Sequence, residues 1–377
     1  MQYNGINIKM FQAKSGDCFF IEFVKADFRI LIDGGFVDTY RQKLRPYLQQ
    51  ISKAGKHINL LIISHIDQDH INGIKALLLE NGDAATPNII QIDEVWFNGF
   101  KHTELPQDRK EIPYYEEAVL QVMANKNDLT DRADGTREIS FTQGSSVAEL
   151  LINYGYNWNT SFWGHSVCAE KMKHIIFGNV ELVILNPTQT VLNMLAQEWL
   201  WSLKSKCERV IISENHIFND AFEGFYVSEH DDWLTVTKEI SSDKKMNSYD
   251  WDFISELDDD ETDSKLTNCS SIAVLILYEG TKLLFPGDCP IKIFHNKLPK
   301  EIDIVKLPHH GSGKNTDKNF IRKTKVFCYL ISTDGRHTGH PSLKVIANIL
   351  KKTMGNPLII KNYDIPILDG IGKLEEE

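Results

Sequence analysis

The segment "LLIISHIDQDH", residues 60–70, joins an apolar run directly to four residues of metal-ligand type, His65, Asp67, Asp69 and His70. The run barely alternates, which is typical of a strand buried on both faces of a sheet. Such a strand delivers side chains to its carboxyl end, where open α/β sheets place their sites. Imidazole and carboxylate suit a divalent ion, and without a cation the carboxylates would repel each other. The alternative is that Asp69 caps the following helix and the rest is exposed loop.

Strand and helix signals alternate along most of the chain. The first third predicts strands in "INIKMFQ", "CFFIEFV", "FRILID" and "IIQIDEVWF" and helices over 40–54 and 71–80. Beyond it we predict helices near 114–125, 146–154, 316–324 and 342–352, and strands in "VELVILNP", "SSIAVLILYEG", "KLLFPGD", "IDIVKLP", "KVFCYLIS" and "PLIIK". Polar stretches at about 100–145 and 188–267 interrupt the pattern as insertions. Two β-rich halves with helices predict a layered α/β sandwich.

Composition narrows the classes of partner. The net charge of -11 argues against broad electrostatic attraction to nucleic acid or anionic lipid, although a local basic groove or a bound metal still attracts phosphate. The six scattered cysteines include no C-x-x-C pair, which is typical of reduced thiols. The N-terminus has no apolar signal core, so we expect a cytoplasmic protein without a membrane partner. The acidic run "ELDDDETD" is predicted to be a solvated loop.

Further residues of ligand type follow later predicted strands. Asp288 ends "LLFPGD", and on its own it could be a simple turn aspartate. In "LPHHGSGKN" the side chains of His309 and His310 should diverge, one toward a metal and the other toward substrate; the alternative is a surface loop. In "DGRHTGHPS" the proline after His340 favours an extended conformation and a helix start at Pro341. We therefore predict His340 as the last ligand, with His337 peripheral.

These blocks together resemble a known family. His65-x-Asp67-x-Asp69-His70, preceded by Asp33 in "LIDGG", resembles the signature of the metallo-β-lactamase-fold hydrolases, whose usual pattern is His-x-His-x-Asp-His. The aspartate in place of the second histidine resembles the hydrolase domain of the competence protein ComEC. "NCSSIAVLILYEGTKLLFPGD", "KLPHHGSGKN" and "ISTDGRHTGHPS" match later blocks of that branch in order. The resemblance spans residues 8 to about 350 apart from the insertions, and it implies one four-layer αββα domain over 1–377 whose insertions wall or cover the cleft.

The resemblance also implies a centre of one or two divalent ions. The implied ligands are His65, Asp67, Asp69, His70, Asp288, His310 and His340, with Asp288 bridging. Asn268 precedes Asp288 by 20 residues, where ordinary members have a histidine ligand; the alternative for it is a turn residue. With Asp67 and Asn268 the first site is poor in nitrogen. This shifts its preference from zinc toward manganese or magnesium, or leaves it partly occupied.

The resemblance assigns roles to the remaining residues. Asp69 would bind the ion and orient the activated water, and His309 would act as a general acid. Asp33, the third residue given a catalytic role, would accept a hydrogen bond that fixes a ligand such as His65. We expect contacts to the substrate or to the ligands from Asn268, Ser271, Ser312 and Lys314. The predicted reaction is metal-dependent hydrolysis of a phosphodiester, with a nucleic acid or a nucleotide as substrate.

Two other functions fit parts of the pattern. A lactone, thioester or β-lactam hydrolase is one alternative, but such enzymes generally keep both histidines that are replaced here. The other is a degenerate metal-binding module in a multi-protein system, with partner surfaces on the insertions at Trp199, Trp201, Trp233 and Trp251. Those tryptophans could equally be buried anchors. Retention of Asp69, His70 and Asp288 favours an active enzyme.

Overall fold

Apolar segments with short turns between them form two sheets in the computed structural model, which describes residues 1–105, 112–125, 146–207, 212, 215–228, 249–258, 260–336, 339–365 and 368. The first sheet has six strands in chain order: β1 Gln2–Tyr3, β2 Ile6–Met10, β3 Phe19–Phe23, β4 Phe28–Ile32, β5 Ile58–Ile62 and β6 Ile92–Trp96. Strands β1 to β4 are antiparallel, whereas β4, β5 and β6 run parallel, with Ile32 opposite Ile62.

The second sheet has seven strands and comes from the rest of the chain. They are β7 His174–Phe177, β8 Val180–Asn186, β9 Ala273–Tyr278, β10 Thr281–Phe285, β11 Glu301–Lys306, β12 Lys325–Ile331 and β13 Leu358–Lys361. Their order across the sheet follows their order in the chain, from β7 at one edge to β13 at the other. Strands β7 to β10 are antiparallel, and β10 to β13 are parallel.

Helices cover the outer faces of both sheets. The α-helices are α1 Val37–Thr39, α2 Arg45–Lys53, α3 Gln68–Asn81, α4 Tyr114–Ala124, α5 Val147–Asn153, α6 Gln189–Lys204, α7 Ile217–Ser228, α8 Trp251–Glu256, α9 Leu266–Cys269, α10 Lys318–Lys323 and α11 Leu343–Lys352. A π-helical turn, Tyr40–Leu44, joins α1 to α2. This turn and α2 together are helical over nearly all of residues 40–54, so the helix predicted there is confirmed. Helix α3 begins three residues before the predicted Ile71, because the metal-ligand-type residues belong to its first turn.

The hydrophobic core lies in three layers. Side chains of both sheets meet in the middle layer, for example Ile21 and Ile62 from the first sheet with Ile276 and Leu283 from the second. A second layer lies between the first sheet and α2, α3, α5, α6 and α7, and a third between the second sheet and α10 and α11. This arrangement confirms the predicted four-layer αββα sandwich. It also brings the carboxyl ends of β4 and β5 to the same edge as those of β10, β11 and β12.

The second insertion contributes buried structure. Trp199 on α6 is completely buried against Phe100 and Phe218, so its interpretation as an anchor is correct and that as an exposed partner surface is wrong. Trp201 is 79% exposed. Trp251 is half-buried, and Trp233 lies outside the described residues.

Two further features bear on the predicted class of protein. All six cysteines are buried and free of disulfides. Among the helices of the described residues, none combines the length and the apolar character that a membrane span requires.

Candidate metal centre

The loop after β5 delivers the first group of ligand-type side chains. His65 follows the strand directly, Asp67 occupies the N-cap of α3 with an extended backbone, and Asp69 and His70 lie in the first helical turn. The Asp67 side chain makes no capping hydrogen bond there, and Asp69 is not the cap residue. The predicted alternative, in which Asp69 heads the helix as a cap, is therefore wrong. The side chains of all four residues are buried.

Tight backbone contacts hold this loop in place. A Cβ on Gly16 would lie 1.9 Å from the carbonyl oxygen of Asp69, so only glycine permits this approach. The neighbouring backbone N–H of Asp17 donates to that same oxygen at 3.3 Å. On the second sheet Gly287 has a left-handed φ of 59°, and a Cβ there would meet the side chains of Ser64 and Ser271. These close approaches bring the edges of the two sheets together.

Hydrogen bonds fix the tautomers of three buried histidines. His310 donates from Nδ1 to the carbonyl oxygen of Ser332 at 2.7 Å, and His70 donates from Nδ1 to Asp33 Oδ2 at 2.9 Å. The Ser64 hydroxyl donates to Asp33 Oδ2 at 2.7 Å, so it accepts from His65 Nδ1 at 2.9 Å. Each Nδ1 thus carries the proton, and each Nε2 presents a lone pair, which is the form that binds metal.

These lone pairs converge on two carboxylates. Asp288 Oδ2 lies 3.5 Å from His70 Nε2, 3.8 Å from His310 Nε2 and 4.0 Å from His65 Nε2. Asp69 lies 3.9 Å from His70 Nε2 and 3.8 Å from His310 Nε2. Ligand atoms that surround one ion are this far apart. Among the described residues three groups of three could hold an ion, and two of them include these atoms: His65, His70 and Asp288, and Asp69, His70 and His310. The third, Asp17, Asp33 and His70, lies behind them.

The residues present fit a divalent ion. Among the described residues, Nε2 of His65, His70 and His310 is buried and has no hydrogen-bond partner, which is costly unless another group fills the space. The centre also holds an excess of negative charge. Its buried carboxylates are Asp17, Asp33, Asp67, Asp69 and Asp288, and its ammonium groups are the buried Lys306 and the half-buried Lys265. A divalent cation would bind the nitrogen lone pairs and neutralise most of this excess negative charge.

The electrostatics of the ligands agree with this fit. Burial lowers the pKa of His70, but Asp288, Asp69 and Asp33 outweigh burial and raise it well above its ordinary value. Burial raises the pKa of Asp69, only partly offset by His70 and His310. Both shifts favour a positive charge at the point where these side chains meet. A proton can supply that charge, and so can a metal ion.

Lys306 fixes the orientation of Asp288. Its buried Nζ pairs with Asp17, lies 3.3 Å from Asp288 Oδ1 and donates to the carbonyl oxygen of Gly287 at 3.0 Å. The hydroxyl of Ser271 accepts from the backbone N–H of Asp288 at 3.2 Å. Oδ2 is thereby left to face the histidines. Burial raises the pKa of Asp288, but His70, His309 and Lys306 outweigh burial and hold it well below its usual range.

Asp263 is the site residue that the sequence interpretation missed. Its carboxylate accepts from Asn268 Nδ2 at 2.7 Å and from Asn315 Nδ2 at 2.9 Å, and it lies 3.6 Å from His309 Nδ1. The prediction of a solvated loop for this acidic run is wrong here, because the segment packs on the loop after β11. Its partners Asn268, Asn315 and His309 gave no sequence signal of this pairing, since they lie up to 52 residues from Asp263 along the chain.

The remaining predicted residues surround this centre. His309 Nε2 lies 3.8 Å from Asp288, and its side chain is 21% exposed, against 1% or less for the three converging histidines. His340 is half-buried and its ring packs against that of His309, with centroids 5.2 Å apart. It is in none of the three ligand groups above, and its role as a ligand stays a prediction. His337 lies outside the described residues.

Several predicted details change in the structure. Asn268 lies within α9 rather than in a turn, and its buried Oδ1 has no hydrogen-bond partner among the described residues. Pro341 precedes the N-cap Ser342 of α11, so it is not the first helical residue as predicted. Ser312 is buried and accepts from the backbone N–H of Lys314, whose side chain is exposed. Both are turn residues of the loop after β11.

Asp33 acts through its neighbours. Both of its oxygens accept hydrogen bonds, from the backbone N–H and hydroxyl of Ser64 and from His70. It therefore contacts His70 directly and His65 only through Ser64, where the prediction named a ligand such as His65. Asp33, His309 and His310 also have left-handed backbones, with φ of 56°, 46° and 57°. Such strain in non-glycine residues gathers at functional sites.

Comparison with known proteins supports the same class of centre. The family model described as Metallo-beta-lactamase superfamily matches residues 12–156, which include Asp33 and the whole loop from His65 to His70. No curated protein matches the chain. The match ends before Asn268, so the ComEC-like branch stays a prediction. The family match and the converging histidines and aspartates together indicate a metal-dependent hydrolase. The chain carries a metallo-β-lactamase superfamily domain at residues 12–156.

Proposed function

We propose that this protein uses a divalent metal ion to hydrolyse phosphodiester bonds, with a nucleic acid or a nucleotide as its substrate. The observation that carries the proposal is the convergence of three buried Nε2 lone pairs, from His65, His70 and His310, on the carboxylates of Asp69 and Asp288. A structural role alone would not explain three buried acceptors left without donors.

Different side chains would have different roles in such a centre. Asp69, His70, His310 and Asp288 would hold an ion, which supplies Lewis acidity and a nucleophilic water at neutral pH. Asp69 lies beside two of the histidines and would accept a hydrogen bond from that water. Asp33 and Lys306 keep the ligands in position.

His309 would protonate the leaving oxygen. Its Nδ1 lies 3.2 Å from Asn315 Oδ1 and 3.6 Å from Asp263, which orient the ring. Its Nε2 lies 3.8 Å from Asp288 Oδ2, and its side chain is more exposed than those of His65, His70 and His310. Burial lowers the pKa of His309, but Asp288 and Asp263 outweigh burial, so the protonated form is favoured.

The choice of substrate rests on the oxygen-rich side of the centre. Asp67 and Asn268 stand where the resemblance expects histidines, and hard oxygen ligands suit manganese or magnesium, which commonly serve phosphate chemistry. Lys265 adds positive charge beside a strongly acidic centre. The order of the later sequence blocks, similar to that of the ComEC branch, supports the same choice.

Cleavage assays on the purified protein test this proposal. The protein is incubated with manganese, zinc or magnesium and with single- and double-stranded DNA, RNA and bis-p-nitrophenyl phosphate. We expect cleavage by the wild type, a loss of about 100-fold or more in Asp69→Ala, and no loss in the control Asp364→Ala, because Asp364 is 84% exposed. Equal activity of Asp69→Ala and wild type would contradict the proposal. Turnover of nitrocefin or a homoserine lactone without diester cleavage would instead support the alternative hydrolase.

A further inference from the structure

A lysine from the second insertion lies on the rim of the centre. Lys265 is the residue just before α9, and its Nζ lies 3.0 Å from Asp67 Oδ2. Its backbone N–H donates to Asp263 Oδ1 at 2.9 Å, which fixes the main chain where the side chain leaves. The Lys265 side chain is 34% exposed and that of Asp67 only 7%. The ammonium group thus covers a buried carboxylate, and the Lys265 side chain as a whole remains partly exposed to solvent.

Lys265 contacts the Asp67 oxygen that faces His65. Asp67 Oδ2, which contacts the ammonium, is also the oxygen that lies 3.5 Å from His65 Nε2. An ion held by His65 and this oxygen would have to share or displace the contact. Among the described residues, Asp67 belongs to none of the three-residue groups whose ligand atoms lie close enough to hold an ion.

Charge and ligand type act in the same direction. With His70 serving the first ion, a second ion on this side would have a single nitrogen ligand, His65, because Asp67 and Asn268 offer oxygen. A nearby ammonium group repels a divalent ion, and this repulsion is stronger in a buried site than in water. On the other side the ammonium group of Lys306 contacts Asp288 at Oδ1, whereas Oδ2 faces the histidines. Asp69 Oδ2 and His310 Nε2 have no ammonium group in contact with them among the described residues. The position at Asp69 and His310 is therefore well suited to a metal ion, whereas the position at Asp67 already holds the ammonium group of Lys265.

We infer that the centre holds one divalent ion, at Asp69, His70, His310 and Asp288, and that Lys265 supplies a fixed positive charge beside Asp67 in place of a second ion. The inference rests on the proposed function, since it assumes that the same centre binds a phosphodiester. The exposed part of the ammonium group would contact a non-bridging oxygen of the phosphate. Lys265 is then a substrate-binding residue that the sequence motifs do not contain.

Metal stoichiometry tests this inference without an activity measurement. Metal-free full-length protein is titrated with Mn²⁺, and the bound ions are counted by calorimetry and native mass spectrometry. We expect one ion per chain in the wild type and in Lys265→Arg, and a second, weaker ion in Lys265→Met. The matched control is Lys292→Met: Lys292 is exposed and contacts Thr262 on the same segment, so its loss should leave one ion.

A second readout concerns the anion. Inorganic phosphate should bind the manganese-loaded wild type about tenfold more tightly than Lys265→Met, because a charge-assisted hydrogen bond is lost. Two ions in the wild type would overturn the inference, and so would a single ion in folded Lys265→Met. The wild-type count decides even if that variant does not fold. A wild type that binds no ion would contradict the proposed function itself, and the two failures are therefore distinguishable.

Discussion

His70 Nδ1 and Asp33 Oδ2 lie 2.9 Å apart in the fully buried space between the ends of β4 and β5. The carboxylate also accepts two hydrogen bonds from Ser64, so it cannot rotate away. This contact places the proton of His70 on Nδ1 and directs its Nε2 toward Asp288. Asp33, at the end of β4, therefore sets the orientation of the candidate metal ligand His70.

Replacement of Asp33 by asparagine should weaken metal binding. An amide has one acceptor oxygen and one donor group, so it cannot accept from both Ser64 and His70 with the same geometry. We expect the dissociation constant for Mn²⁺ to rise about 10- to 100-fold, the usual effect of losing a group that orients a ligand. Calorimetric titration measures this, with Asp364→Asn as the exposed control. An unchanged dissociation constant in a folded Asp33→Asn protein would refute the orienting role.

Lys306 should be important for stability as well as for ligand orientation. Its loss in Lys306→Met leaves Asp17 and Asp288 buried without their cation. We expect the free energy of unfolding of the metal-free protein to fall by about 3–5 kcal/mol, the typical cost of breaking a buried ion pair. Urea unfolding measures the change.

Two further variants make the Lys306 prediction specific. Lys325→Met breaks an exposed pair with Glu301 and should cost less than about 1 kcal/mol. The double variant Asp17→Asn with Lys306→Met should be more stable than Lys306→Met alone, because it removes one uncompensated charge. If Lys306→Met cost no more than Lys325→Met, the buried pair would not have the importance assigned to it.

Metal binding should stabilise the folded protein. An ion that binds only the native state at 100 times its dissociation constant adds about 2.7 kcal/mol. The midpoint of thermal unfolding should therefore rise with Mn²⁺ in the wild type and much less in Asp69→Ala, and the chelator EDTA should reverse the rise. The same shift in both proteins would show that the ion binds elsewhere.

Glu223 should make the stability of the protein depend on pH. Its buried carboxylate accepts from the backbone N–H groups of Val147 and Ala148 at the start of α5. Burial raises its pKa to about 8, despite these hydrogen bonds, from an ordinary value of 4.5. Between these values the folded protein holds a proton that the unfolded chain has lost. The free energy of unfolding should therefore fall as pH rises from about 5 to 8, by up to about 1.4 kcal/mol per unit.

The variant Glu223→Gln isolates this contribution. Its amide does not titrate, so the part of the slope due to this group should disappear, although one capping hydrogen bond is lost at every pH. Urea unfolding at three pH values between 5 and 8 compares the two proteins. Identical slopes would contradict the raised pKa of Glu223.

Strand patterns and local motifs predicted much of this structure. Apolar runs such as residues 60–63 identify central strands because both faces are buried, and the parallel strand ends then place His65, Asp288 and His310 at one edge. The close spacing of four residues, His65, Asp67, Asp69 and His70, was enough to identify this segment as a group of candidate metal ligands. Helix α3 begins three residues before the predicted Ile71, because Asp69 and His70 belong to its first turn.

Long-range polar pairing could not be predicted in this way. Asp263 reads as part of an acidic run, yet it binds Asn268, Asn315 and His309 after the second insertion folds back on the site. Lys265 is 198 residues from Asp67, and Lys306 looks like an ordinary residue at the end of a strand. The contacts of Lys265 with Asp67 and of Lys306 with Asp17 depend on the packing of one sheet against the other, and those of Asp263 on the path of the second insertion. No local pattern records either.

The most direct test of the central claim is an anomalous difference map from crystals of the protein soaked in Mn²⁺. The account predicts a peak within ligand distance of Asp69, His70, His310 and Asp288, with His65 and Lys265 at its edge. A map without a peak among these side chains, or with its only peaks at the protein surface, would contradict the account.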